Sequence, residues 1–96
     1  MMLPQPAEKP DAVLEHETSF MPLYRVLLHN DDVNSMDHVV TTLIRVFRFS
    51  REKSEGIMLE AHNKGVALCA REPYEQAEHH RDQLRSFSLI STIEPD

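Results

Sequence analysis

Between residues 36 and 47 apolar side chains recur at i, i+3, i+4, i+7, i+8 and i+11, as Met36, Val39, Val40, Leu43, Ile44 and Phe47. Only a 3.6-residue period stacks such positions into one stripe, so the segment is a helix with one face turned to a core. Ser35 stands where a hydroxyl satisfies the free amides of a first turn. A helix of this length is marginal alone in water, because its nucleus is costly and its stability comes from packing. The rest of the chain has to cover the stripe.

Immediately upstream, Tyr24, Val26 and Leu28 alternate with Arg25, Leu27 and His29, the period of two that puts one set on each face of a strand. Asn30, Asp31, Asp32 and Asn34 end it, since Asp and Asn side chains bond their own backbone and favour turns. Downstream, Phe49-Ser50 interrupts the first helix, and Ser50 caps a second one with Ile57, Met58 and Ala61 along one side and Gly65 at its left-handed end. Gly56 weakens this helix by roughly 1 kcal/mol relative to alanine, which either close packing or plain tolerance explains. Val66 to Ala70 is short and apolar and fits a second strand. Glu72-Pro73 opens a third helix with proline in its first turn, Tyr74, Ala77 and Leu84 as a thin stripe, and Arg81 and Arg85 toward its negative end. Phe87, Leu89, Ser91 and Ile93 then alternate with Ser88, Ile90 and Thr92 as a last strand. The order β-α-α-β-α-β, with helices segregated from strands, predicts an α+β fold: a three-stranded antiparallel sheet covered by three helices.

Composition sets the limits of this domain. The 96 residues, 41% of them apolar, suffice for one core, assigned to residues 23–94. Residues 1–22 hold four of the six prolines and four acids against one lysine, which reads as a flexible acidic N-terminal arm. A formal charge of -6 disfavours nucleic acid and anionic lipid as partners and suits a cationic one. One cysteine, Cys69, excludes an internal disulfide framework and the usual multi-cysteine zinc sites, and two glycines argue against a Gly-rich phosphate loop. No stretch approaches the roughly 20 apolar residues of a bilayer span, and no signal-peptide pattern opens the chain, so a soluble protein of a reducing compartment is expected.

Two polar clusters stand out. His29-Asn30-Asp31-Asp32-Val33-Asn34 lies where a strand hands over to the strongest helix, a position that often presents binding groups on a rigid scaffold. The bland alternative is an Asx turn that caps the helix. In the second helix, Met58, Ala61 and His62 stand at i, i+3 and i+4 and share one face. Taken singly, His62 is more often a half-buried histidine bonded to a backbone carbonyl, and Met36 and Met58 are more often core filler. No HExxH, Gly-x-Ser-x-Gly or Cys-x-x-Cys occurs, and Cys69 falls in a strand as a small hydrophobe. His79-His80 reads as a solvated pair, because adjacent helix residues point in different directions. No metal and no cofactor is expected, while a small metal-dependent or acid-base enzyme using Asp31, Asp32 and His62 stays open as the alternative to a binding module.

The segments YRVLLHNDDVNSMDHVV, IMLEAHNKGVALC and LISTIE together resemble the ClpS family, small adaptors that bring substrates with destabilising N-terminal residues to Clp proteases. The resemblance runs from about Leu23 to Glu94, with the same order of strands and helices. It implies an adaptor, not an enzyme, that binds a free N-terminus bearing Phe, Tyr, Trp or Leu and hands it to a Clp AAA+ unfoldase of ClpA or ClpC type. It also implies a monomer in a bacterial cytoplasm or plastid stroma, with no nucleic acid and no membrane partner. By the same resemblance Asn30, Asp31, Asp32 and His62 bind the α-amino group, and Asn34 and Met36 form the rim. Val39, Met58, Ala61 and Leu89 line the side-chain pocket, and Glu75 and His80 face the unfoldase. Physical chemistry agrees with that division. An ammonium offers three donors and wants converging acceptors, such as the Asn30 carbonyl oxygen and an unprotonated His62 nitrogen. Met36 as a gate would exclude β-branched Val and Ile. Three positions depart from the commoner family pattern: Asn34 for Thr, Ser35 for Pro, and Ala61 for a larger aliphatic. The smaller Ala61 predicts a deeper floor that favours aromatic residues over Leu.

Overall fold

The apolar stripe of residues 36–47 is covered chiefly by the two later helices, in a core shared with one face of a sheet. In the computed structural model, which describes residues 21–96, β1 (Leu23–His29), α1 (Met36–Phe47), α2 (Arg51–Lys64), β2 (Val66–Pro73), α3 (Tyr74–Ser86) and β3 (Ile90–Pro95) follow in that order. The three strands form one antiparallel sheet in the order β2-β1-β3. Val26 and Leu28 of β1 and Ala67 and Cys69 of β2 meet Val39, Leu43 and Val46 of α1, Ile57 and Ala61 of α2, and Ala77 and Leu84 of α3 in a single core. Except for Met21 and Pro22, the acidic arm expected over 1–22 lies outside the described residues.

The caps follow the local sequence. Ser35 Oγ accepts from the His38 amide and Ser50 Oγ from the Lys53 amide, each at 3.1 Å. Gly65 closes α2 at φ 92°, a conformation only glycine adopts freely, and its amide donates to the Ala61 carbonyl at 2.8 Å. A Cβ at Gly56 would meet nothing within 4 Å, so tolerance rather than close packing explains that glycine. Cys69 sits at a register break, where Val26 pairs with Ala70 but Leu27 pairs with Leu68. Burial, reinforced by Glu72 and Glu60, pushes its thiol up to about 12, consistent with a packed and unreactive side chain.

Four details differ from the sequence expectations. β2 continues past Ala70 because Arg71, Glu72 and Pro73 stay paired with Arg25, Tyr24 and Leu23, so Pro73 caps α3 from outside instead of occupying its first turn. β3 begins at Ile90, not Phe87. The amides of Phe87 and Leu89 donate to Leu84 and that of Ser88 to Arg85, with Ser88 at φ 72°, so these residues form the turn that ends α3. Tyr74 is half exposed and meets Tyr24 edge to face at 5.1 Å, outside the core. His80 is not solvated beside His79: it reaches back to Glu72 at 2.8 Å and packs on the Phe47 ring at 4.6 Å, leaving its side chain 22% exposed.

Candidate functional site

The C-terminal end of β1, the turn after it, the start of α1 and the second half of α2 converge on one cavity of about 220 Å³. Their meeting is held by the backbone, since the Asn30 amide donates to the Gly65 carbonyl at 3.0 Å and so ties the end of β1 to the end of α2. Leu28, Val39, Met58 and Ala61 supply the apolar lining. Asn30, Asp31, Asp32, Asn34 and His62 supply polar groups, and Met36, half exposed on the first turn of α1, stands among them. The volume is below the about 300–1,000 Å³ of clefts that take drug-sized ligands, and suits one side chain.

The two carboxylates of the turn do different work. Asp31 Oδ1 accepts from the Val33 amide at 2.9 Å and the Asn34 amide at 2.7 Å, while Oδ2 accepts from Asn34 Nδ2 at 3.2 Å. Partial desolvation raises its pKa, but the hydrogen bonds from Asn34 and Val33, with His38 nearby, outweigh it and hold the carboxyl below the usual carboxylate range. Asp31 is therefore the negative brace of its own turn, as the bland reading of this cluster held. Asp32 is exposed and adds negative charge to the mouth.

Nine of the ten residues expected at the binding site line this one cavity: Asn30, Asp31, Asp32, Asn34, Met36, Val39, Met58, Ala61 and His62. Leu89 does not line it; it is 3% exposed and belongs to the core. Glu75 lies elsewhere, on the exposed start of α3, where it shares a shallow apolar depression with Met21, Pro22, Tyr24, Pro73 and Tyr74. His80 is one helical turn and a residue beyond it, held by Glu72. Two lining residues were not anticipated, Leu28 and His29. Leu28 was legible as the last inward residue of the β1 alternation, whereas His29, on the opposite face and 2.7 Å from Thr92 Oγ1, opens the first polar cluster of the sequence but was assigned no role there. Among the described residues no group of three or more His, Cys, Asp or Glu side chains stands close enough to hold a metal ion. An apolar pocket with an acceptor-rich mouth suits a ligand that joins an apolar group to a cationic donor.

The model of the family described as ATP-dependent Clp protease adaptor protein ClpS matches residues 20–92. The chain is 43% identical over 93 residues to the ATP-dependent Clp protease adapter protein ClpS of Oleidesulfovibrio alaskensis, covering 91% of this chain and 89% of that protein. It is 49% identical over 76 residues to the adapter of the same name from a Synechococcus species, covering 78% and 73% of the two chains. Among solved structures, Agrobacterium tumefaciens ClpS2 bound to L-phenylalaninamide superposes with a TM-score of 0.69 at 31% identity, over 78% of this chain and 98% of that one.

Proposed function

The chain belongs to the ClpS family of ATP-dependent Clp protease adaptor proteins, a family of adaptors and not of enzymes, and we propose that its cavity captures the free N-terminus of a protein whose first residue is large and apolar. The observation that carries this reading is the joining, in one cavity of single-residue size, of an apolar floor made by Val39, Met58 and Ala61 with a mouth carrying Asn30, Asp32 and His62. L-Phenylalaninamide, the ligand of the Agrobacterium relative, has the two matching parts, an α-amino group and a benzyl side chain. Burying such a side chain contributes about 1.5–3 kcal/mol, and each hydrogen bond to the ammonium a similar amount. Neither part suffices alone for tight binding.

Within that reading, Asn30 and His62 accept ammonium protons, Asp32 supplies negative potential, and Asp31 and Asn34 hold the turn that presents them. Met36 is the steric gate against Val and Ile. The captured protein is delivered to a Clp AAA+ unfoldase of ClpA or ClpC type, in a bacterial cytoplasm, through the surface around Glu75 at the start of α3. Residues 1–22 serve delivery and not capture. The acid-base alternative loses Asp31, whose oxygens accept three hydrogen bonds within the turn.

His62→Ala and Asn30→Ala, titrated by fluorescence anisotropy with a peptide that begins with Phe, test the amine site. Each is expected to weaken binding by about tenfold or more, the worth of one charge-assisted hydrogen bond.

A further inference from the structure

Met36 has little packing of its own to hold it, being half exposed on the first turn of α1. The backbone on both sides of it is nevertheless fastened to one turn. Two residues before it, Asn34 Nδ2 donates to the Ser88 carbonyl at 2.8 Å. Two residues after it, His38 Nε2 lies 2.8 Å from the Phe87 carbonyl. A carbonyl only accepts, so the proton sits on that His38 nitrogen. The Asn34 amide has two N–H donors and uses them in two directions, toward Asp31 Oδ2 and toward Ser88, which joins the polar turn to the far side of the rim.

The anchor itself is firm. Phe87, Ser88 and Leu89 are tied to the end of α3 through the carbonyls of Leu84 and Arg85, Leu89 is buried in the core, and the Phe87 ring carries the Arg45 guanidinium of α1 at 5.5 Å from its centre. His38 is not among the residues that line the cavity. Its role toward a ligand therefore has to pass through the position of α1.

We propose that Asn34 and His38 form a two-point clip onto the Phe87-Ser88 turn that fixes the height of Met36 over the cavity, and so sets how strictly the pocket rejects first residues branched at Cβ. The inference rests on the reading of the cavity as a pocket for the first residue, with Met36 as its gate. Its physical basis is the steepness of close contacts: a shift of only about 0.5–1 Å changes a quarter to a half of a contact's attraction, and the same shift the other way relieves a clash. A methyl group on Cβ lies next to the rim, whereas the branching of Leu and the ring of Phe begin one atom deeper. Loosening the clip thus affects Val and Ile selectively. His38 and Asn34 act here as positioning residues.

The test compares His38→Ala, the donor-retaining His38→Gln and Asn34→Ala with the wild type, using free-amine peptides that differ only in a first Phe or Val. In His38→Ala the preference for Phe over Val is expected to fall about three- to tenfold, the worth of one hydrogen bond, mainly through better binding of Val, and His38→Gln is expected to restore it. Asn34→Ala should lower the same ratio. The methyl resonance of Met36 in the free protein gives a readout independent of peptide: it should shift or broaden in His38→Ala and return in His38→Gln. An unchanged Phe to Val ratio in both alanine variants, with an unmoved Met36 methyl and lowered melting temperatures, overturns the clip and leaves two ordinary stabilising bonds. Failure of wild-type protein to bind the Phe peptide overturns the pocket reading, and the gate role with it, whatever the methyl shows.

Discussion

Replacing Ala61 by Val probes the depth of the pocket. Ala61 is 3% exposed and lines the cavity together with Leu28, Val39 and Met58. With only about 220 Å³ free, two added methyl groups at the floor take a substantial part of the space an aromatic ring needs. Forcing a ring into an overfilled site costs about 1–3 kcal/mol, which is about five- to hundredfold in affinity for Phe and Trp. The shorter Leu reaches the floor less and should change by less than about threefold, because a contact not made is not lost. In the wild type the aromatic residues should outrank Leu, and in Ala61→Val that order should narrow or reverse. Fluorescence-anisotropy titrations with otherwise identical Leu, Phe, Tyr and Trp peptides read the ranking, and thermal melts confirm that the variant folds. A wild type that clearly prefers Leu, or a variant in which Leu and Phe fall in parallel, refutes the reasoning.

Two further outcomes follow from the turn and the arm. Hydrogen bonds depress the Asp31 carboxyl, so the stabilisation it gives the turn is complete above about pH 4, the unfolded value, and is lost as pH falls through the lower folded value; Asp31→Asn should flatten melting temperature against pH in that acid range, and an unchanged slope would show that other carboxylates dominate. Deleting residues 1–20 should leave affinity for a Phe peptide unchanged while slowing degradation of a Phe-initial substrate by the partner Clp protease, and equal loss of both would mean that the arm also serves capture.

The elements of this fold were legible where side chains dictate backbone locally. The α1 stripe, the two serine caps and Gly65 each express a period or a hydrogen bond within a few residues, and all stand where the sequence places them. The misread boundaries depend on partners distant in sequence. β2 runs on to Pro73 because β1 pairs with it, and Phe87 to Leu89 alternate like a strand while folding as the turn that closes α3. His80 looked solvated because its partner, Glu72, is eight residues away and its packing partner, Phe47, belongs to another helix. At the site, Asn30 and His62 each stood out locally, one in a strand-end polar cluster and one on a helix face, but only resemblance to a family joined them, since no local rule links residues thirty-two positions apart. The division of labour between Asp31 and Asp32 was invisible for the same reason that adjacent aspartates look alike in a sequence: only the hydrogen bonds from Val33 and Asn34 distinguish them.

Capture of a free N-terminus is tested most directly by anisotropy binding of a short Phe-initial peptide beside the same peptide N-acetylated. Acetylation removes the charge and two of the three ammonium protons and leaves the benzyl side chain untouched. The account predicts binding of the free peptide and a loss of about two orders of magnitude or more on acetylation, as expected for two charge-assisted hydrogen bonds. Equal binding of both peptides would show that the cavity reads the side chain without the amine and would contradict the account.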